Sequence, residues 1–259
     1  MPRWVTKLGR WVEGAVESLV AIFGVLLVFE GTLSRDLSPP VRTIAHVLLS
    51  IAVLLAVIVL RWGFRSAAHK LTEEFLASLL KACLAGFTNE QINSFNLRCN
   101  VMLPYGDNLR IILRYPDLKR ATGVPWAQGE GVCGTAFEER REVMARDLTP
   151  YRGRDYSRIL VGKGKDRHRL WGMTERQWEM TRNLGSVISL PLISAGDDGK
   201  VLGILNVDSS EKMSSWLPSD TEEAKFLTRL RTLSGPMTRL LSENKLIKGA
   251  YLNGPARVS

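Results

Sequence analysis

The hydrophobic pattern changes character twice along the chain. From Thr43 to Leu60 the sequence reads TIAHVLLSIAVLLAVIVL, without a formal charge and bracketed by Arg42 and Arg61. At about 1.5 Å per residue such a helix is roughly 27 Å long, close to the hydrocarbon thickness of a bilayer. The pattern predicts a transmembrane helix over 42–61. An earlier apolar run, Ser18 to Phe29, lies between Glu17 and Glu30, and a span over 14–33 leaves both carboxylates at headgroup depth, where a charge costs far less than at mid-membrane. Its rival is a signal peptide, because Arg3, Lys7 and Arg10 precede the run. No convincing small-x-small cleavage site follows Phe29, so a helical hairpin over 14–61 is the preferred reading.

Past Arg61 the period becomes that of an amphipathic helix. Phe64, Ala68, Leu71, Phe75, Leu79, Ala82 and Phe87 recur at mostly three or four residues, with Lys70, Glu73, Glu74 and Lys81 off that stripe. The segment 62–92 is expected to hold a helix ending near Gly86, either packed on its own domain or pairing with a second copy as a signalling helix.

Period two then takes over. Leu97, Cys99, Val101 and Leu103 alternate with Arg98, Asn100 and Met102, and the alternation resumes in Leu109, Ile111, Leu113 and Tyr115 after the turn Pro104 to Asn108. That is the pattern of an antiparallel hairpin. A second hairpin joins SVISLPLISA to VLGILNVD across Gly196 to Lys200, with Pro191 marking an edge strand or strand end because it lacks a ladder donor. Glu142 to Arg146 is a fifth strand. In the last helix Ser219 is the expected N-cap with Glu222 as its reciprocal partner. Gly235-Pro236 is expected to kink or interrupt it. The fold class is therefore α+β: a basic segment 1–13, the membrane hairpin 14–61, the amphipathic segment 62–92, an antiparallel sheet flanked by helices over 93–247, and a tail 248–259.

Charge adds orientation. The net formal charge of +9 and pI near 9.7 favour an anionic partner: lipid headgroups, nucleotides or nucleic acid. Arg3, Lys7 and Arg10 precede the first span, and Arg61, Arg65 and Lys70 follow the second, whereas the loop between them holds only Arg35 and Arg42. By the positive-inside rule both termini face the cytoplasm, as a multi-pass protein of the inner (plasma) membrane. Cys83, Cys99 and Cys133 form no C-x-x-C pair, and only His46, His69 and His168 are present. No disulfide framework, metal site or cofactor is expected from them.

GEGVCGTAF, Gly129 to Phe137, spells the glycine pattern that cradles the pyrophosphate of a dinucleotide. The fingerprint needs a buried parallel strand running into the first glycine. Here the preceding residues are ATGVPWAQ, with Pro125 in the way, and the surrounding strands are antiparallel. That setting disfavours a dinucleotide fold.

Together with Val143 to Asp147, Pro191-Leu192, the run Gly203 to Ser209 and the last amphipathic helix, this glycine turn resembles a GAF domain over about 70–245. The resemblance implies a glycine bend opening a short helix over the sheet, and a pocket that binds cyclic nucleotides, tetrapyrroles or other small molecules, or serves only to dimerise. The G-V-C-G of residues 131–134 is similar to that of GAF-type free methionine-R-sulfoxide reductases. Those enzymes attack with a further cysteine ahead of the "PL" strand, and Thr181 to Val187 contains none. Cys133 is accordingly expected to be a small buried side chain, with no catalytic residue assigned.

Between Pro150 and Gly185 the chain exceeds a minimal GAF domain. The first twenty residues of this insert, 150–185 in all, carry seven Arg and Lys against Asp155 and Asp166, a net of +5, and Trp171 and Trp178 follow, with Thr174 as the cap of a short helix. In GAF folds this region lies over the pocket mouth, implying a basic lid closing on an anion; the alternative is a solvated loop near an anionic leaflet. Candidate ligand contacts are Arg114, Trp126, Thr135, Asp147, Arg167, Arg169, Trp171 and Asp208. The expected protein is a membrane-anchored sensor for a small anionic molecule such as a nucleotide, acting through its membrane helices or partners as a homodimer or higher oligomer. A ligand-free dimerisation scaffold is the alternative, a sulfoxide reductase comes third, and nucleic acid is disfavoured because nothing forms a groove or reading helix.

Overall fold

The computed structural model describes residues 70–116, 124–157, 171–194 and 199–243, with single positions at 38, 40, 51 and 63. The chain divides into two compact units, Met1–Leu71 and Thr72–Ser259, and the elements below belong to the second. The two apolar runs, the tail 248–259, and Arg167 and Arg169 lie outside the described residues. Among the described residues no helix is long and apolar enough to cross a membrane.

Within this unit helix α1 covers 72–83. Its buried face is Thr72, Leu76, Leu80 and Cys83, one position on from the expected stripe. Phe75 is 40% exposed and Leu79 only partly buried against the same core. The helix is apolar on two adjacent sides, and the sheet takes the 76/80/83 side. Helix α2 (Asn89–Ser94) follows, closed by a capping box between Thr88 and Gln91.

The sheet has six antiparallel strands in the order β3-β2-β1-β6-β5-β4. β1 (Arg98–Tyr105) and β2 (Asn108–Tyr115) form the first hairpin around Gly106-Asp107, and β5 (Ser186–Ile193) and β6 (Val201–Ser209) the second. β4 (Val143–Ala145) pairs with β5 only as far as Ser189, so Pro191 sits where β5 has no described neighbour on that side. The missing donor at Pro191 therefore breaks no ladder there. β3 is just Trp126–Ala127, too short for any periodicity to announce it.

Strand alternation gives the sheet two faces. One face, with Cys99, Val101, Ile188, Leu190, Leu205 and Val207, packs with α1 and the last helix in a single aliphatic core that includes Leu76, Leu80, Phe226, Leu230 and Met237. That helix, α6 (Asp220–Glu243), follows the short α5 (Met213–Trp216). Ser219 caps α6, its hydroxyl accepting from the Glu222 N–H at 3.3 Å, while the Glu222 carboxylate turns to that hydroxyl. The expected interruption at Gly235-Pro236 does not occur, and α6 runs through Pro236. Met237 and Leu241, buried just beyond, anchor the last turns to the core and offset the one hydrogen bond that proline forgoes.

The other face is covered by α3 (Gly131–Glu139), by a 3-10 turn at Thr149–Tyr151 and by α4 (Glu175–Thr181), the last capped by Thr174 as its sequence predicts. The candidate site lies in that layer.

Candidate functional site

The glycine bend sets the site's geometry. Gly131 has φ of +66°, and a Cβ there would come within 2.8 Å of the Trp126 ring. At Gly134 a Cβ would meet the Ala127 carbonyl oxygen at 2.3 Å. Both positions exclude side chains because α3 starts in direct contact with β3, and no phosphate is needed to explain them. Thr135 uses its hydroxyl within the helix, donating to the Gly131 carbonyl at 2.9 Å.

Between this bend and the sheet lies a cavity of about 130 Å³. Its floor is the second face of the sheet: Arg98, Asn100 and Met102 of β1, Ile111 and Arg114 of β2, Val187 of β5, and Asn206 and Asp208 of β6. Its walls are Val124, Trp126, Val132, Cys133, Leu148 and Tyr151, and its roof is Trp171, Met173, Trp178, Met180, Thr181 and Leu184. The floor is polar and yet buried, with Asn100 only 1% and Asp208 only 4% exposed.

Register explains how the floor assembles. Arg98 pairs across the strands with Asp208, and Asn100 with Asn206. The Arg98 Nε donates to Asp208 Oδ1 at 2.6 Å, and its Nη2 lies 2.5 Å from the same oxygen. Asp208 Oδ2 accepts from Asn100 Nδ2 at 3.2 Å and Asn206 Nδ2 at 3.4 Å. Ser189 in turn donates to Asn206 Oδ1 at 2.6 Å. A buried carboxylate is tolerated when paired and hydrogen-bonded in this way. One atom stands outside the network: Asn100 Oδ1 is buried with no hydrogen-bond partner. The amide cannot be turned to cure this without aiming an oxygen at the Asp208 carboxylate.

The roof is fastened to the glycine bend. Gln177, 3% exposed, donates through Nε2 to the Pro125 carbonyl at 2.8 Å and to Glu130 Oε2 at 2.7 Å. Glu130 Oε2 also accepts from the Ala127 N–H at 2.9 Å. Trp171, held at φ +51°, accepts from the Gly131 N–H through its carbonyl at 2.7 Å. Trp178 Nε1 donates to the Arg154 carbonyl at 3.0 Å.

Cys133 lines the cavity, and its thiol is pushed up to about 12, first by burial, against backbone hydrogen bonds from Gly134 and Cys133 itself that pull the other way, with the Asp208 and Glu130 charges adding to the rise. A thiol held protonated is a poor nucleophile. On the opposite face Cys99 is also raised, by burial and then by its hydrogen-bonded neighbour Cys83.

Of the residues expected from the sequence, Arg114, Trp126, Trp171 and Asp208 meet at this cavity. Thr135 and Asp147 do not line it. Thr135 is committed to Gly131, and Asp147 Oδ1 accepts from the Thr149 N–H at 2.9 Å and hydroxyl at 2.5 Å, a local turn. The sequence reading missed Arg98, Asn100 and Asn206. Their signal was present, because 98/100 and 206/208 are the polar alternates of two strands whose other alternates are aliphatic, but that pattern is also the mark of a solvated face.

The GAF domain family model matches residues 76–231. No curated protein matches the chain. Among solved structures it is similar to the GAF domain region of a protein from Geobacter sulfurreducens PCA, at 17% identity over 68% of this chain and 97% of that one, with a TM-score of 0.44. It is likewise similar to the type II free methionine-R-sulfoxide reductase of Thermoplasma acidophilum (16% identity, 66% and 96% covered, TM-score 0.40) and to a GAF domain from A. aeolicus (17%, 67% and 98%, 0.36). Family match, antiparallel sheet and flanking helices agree: the chain belongs to the GAF domain family, whose members commonly serve as sensor and signalling modules.

Proposed function

We propose that the chain is a membrane-anchored, cytoplasm-facing sensor whose GAF domain binds a small anion in the cavity over the polar face of the sheet. The observation that carries this reading is the cavity's mixed lining. Among the described residues the lining holds two guanidiniums, Arg98 and Arg114, and the carboxylate of Asp208, while Trp126, Trp171, Trp178 and three methionines supply an apolar enclosure. Size narrows the ligand. An apolar cavity of about 150 Å³ holds benzene, and drug-sized ligands occupy roughly 300–1,000 Å³. A volume of about 130 Å³ therefore suits a small organic acid better than a nucleotide.

Anchoring is supported by the charge-free run 43–60, by the shorter run before it and by the basic residues flanking both. Binding alters output only as far as it favours one arrangement of the domain over another. The route for such a shift is β1, which carries Arg98 and Asn100 on the cavity side and Cys99 and Val101 against the α1 core on the other. On this reading Cys133 gives the cavity shape and performs no chemistry, and the protein is no enzyme.

The test is thermal unfolding of the full chain in detergent with a panel of small carboxylates and cyclic nucleotides. At one hundred times Kd a ligand adds about 2.7 kcal/mol, a rise of several degrees in Tm. A flat response to the whole panel sinks the sensor reading in favour of a dimerising scaffold. Turnover of free methionine sulfoxide that disappears in Cys133→Ser would establish the reductase instead. A response that survives replacement of Arg167 and Arg169 by Ala removes those two from the binding role.

A further inference from the structure

Resting on the small-anion reading, we propose that Asn100 makes the site selective for 2-hydroxy monocarboxylates with a short apolar side chain. A guanidinium donates and never accepts, so Arg98 and Arg114 can hold the carboxylate end of a ligand and cannot satisfy a donor on it. Asn100 supplies the complementary demand. Its Nδ2 is committed to Asp208, its Oδ1 is buried without a partner, and the residue lines the cavity. An unpartnered buried acceptor carries a desolvation cost that a ligand O–H or N–H removes.

The charge of the lining then chooses between those donors. A hydroxyl leaves the ligand at −1, opposite in sign to the two guanidiniums among the described lining residues. An ammonium makes the ligand a zwitterion and places a cation beside two guanidiniums, with the Asp208 carboxylate already taken by Arg98, Asn100 and Asn206. A 2-oxo acid offers only an acceptor, which faces Asn100 Oδ1 as lone pair to lone pair. The remaining lining, Trp126, Trp171, Met173 and Trp178, encloses a branched aliphatic group by area and dispersion, with no further polar demand.

Titration calorimetry on the full chain in detergent tests this with four acids that share one carbon skeleton: 2-hydroxy-4-methylpentanoate, 4-methylpentanoate, 4-methyl-2-oxopentanoate and leucine. The hydroxy acid is expected to bind about tenfold more tightly than the deoxy and oxo acids, and more tightly than leucine. In Asn100→Leu the hydroxy and deoxy acids become equal, a change of ratio that loss of packing alone does not produce. Equal affinity of hydroxy and deoxy acids for the unaltered protein overturns the inference while the small-anion reading stands. Leucine as the tightest ligand overturns the charge argument. Binding of cyclic nucleotides and none of the four acids overturns the small-acid reading together with this inference. Because the ligand series uses the unaltered chain, the result does not depend on whether Asn100→Leu folds.

Discussion

The two faces of the sheet are both largely withdrawn from water and are held by different forces. Toward α1 and α6 the strands present Cys99, Val101, Ile188, Leu205 and Val207, each with no exposed surface, in a purely apolar core. One residue away on the same strands, Arg98, Asn100, Ser189, Asn206 and Asp208 form a hydrogen-bonded polar sheet surface under a roof of tryptophans. Burying aliphatic area stabilises directly at about 25 cal/mol per Å². Burying the polar row is at best close to neutral, because each group exchanges water for one protein partner. On the proposed reading a polar face kept at that cost is the recognition surface, and the apolar face is the platform that holds it still.

Substitutions on each face should separate these roles. Leu205→Ala on the apolar side is expected to cost about 2–5 kcal/mol in urea unfolding, through lost transfer energy and the cavity left behind, with any residual fold keeping its ligand preference. Asp208→Ala on the polar side should cost less, about 1.5–3 kcal/mol, because Arg98 can still reach solvent. Its larger effect is on binding, since Arg98, Asn100 and Asn206 lose their common acceptor and the floor loses its arrangement. If Asp208→Ala proves the more destabilising of the two, the comparison fails.

A subtler difference concerns Cys133. Its folded value near 12 lies above that of an unfolded thiol, so its contribution is complete below about pH 8.5 and drains away as pH rises toward 12. Comparing wild type with Cys133→Ala in alkaline unfolding series should show wild type losing about 2 kcal/mol more between pH 8 and pH 10. Thiol absorbance that titrates near pH 8 in the native protein would contradict this. Smallest of all is the surface pair of Arg231 with Glu142, at 3.1 and 3.3 Å but largely solvated on the arginine side. Arg231→Ala should cost under about 1 kcal/mol, less in high salt.

Local interactions were legible in the sequence, and interactions across the sheet were not. The hairpins, the caps at Thr174 and Ser219 and the bend at Gly131 follow from residues within a few positions of one another. Trp126, Trp171, Arg114 and Asp208 could be placed near the pocket through the resemblance to GAF domains. Arg98, Asn100 and Asn206 could not, because only the layer of α3 and α4 above them turns a solvent-type alternation into a cavity floor. Thr135 and Asp147 erred the other way, as polar residues near the right place whose side chains close local turns. The stripe on α1 was displaced because two of its adjacent sides are apolar, and only the tertiary partner chooses between them.

The Gln177 latch has a kinetic consequence. Its side-chain amide holds α4 to Pro125 and Glu130 without touching the floor, which is already assembled around Asp208. For a molecule entering beneath the roof, parting that latch is a shared barrier to arrival and departure, while the floor contacts set the equilibrium. In Gln177→Leu, association and dissociation followed by stopped-flow tryptophan fluorescence should both accelerate, with their ratio nearly preserved. The latch would then govern how quickly the protein notices a change in its surroundings, and the floor how much of a change it requires.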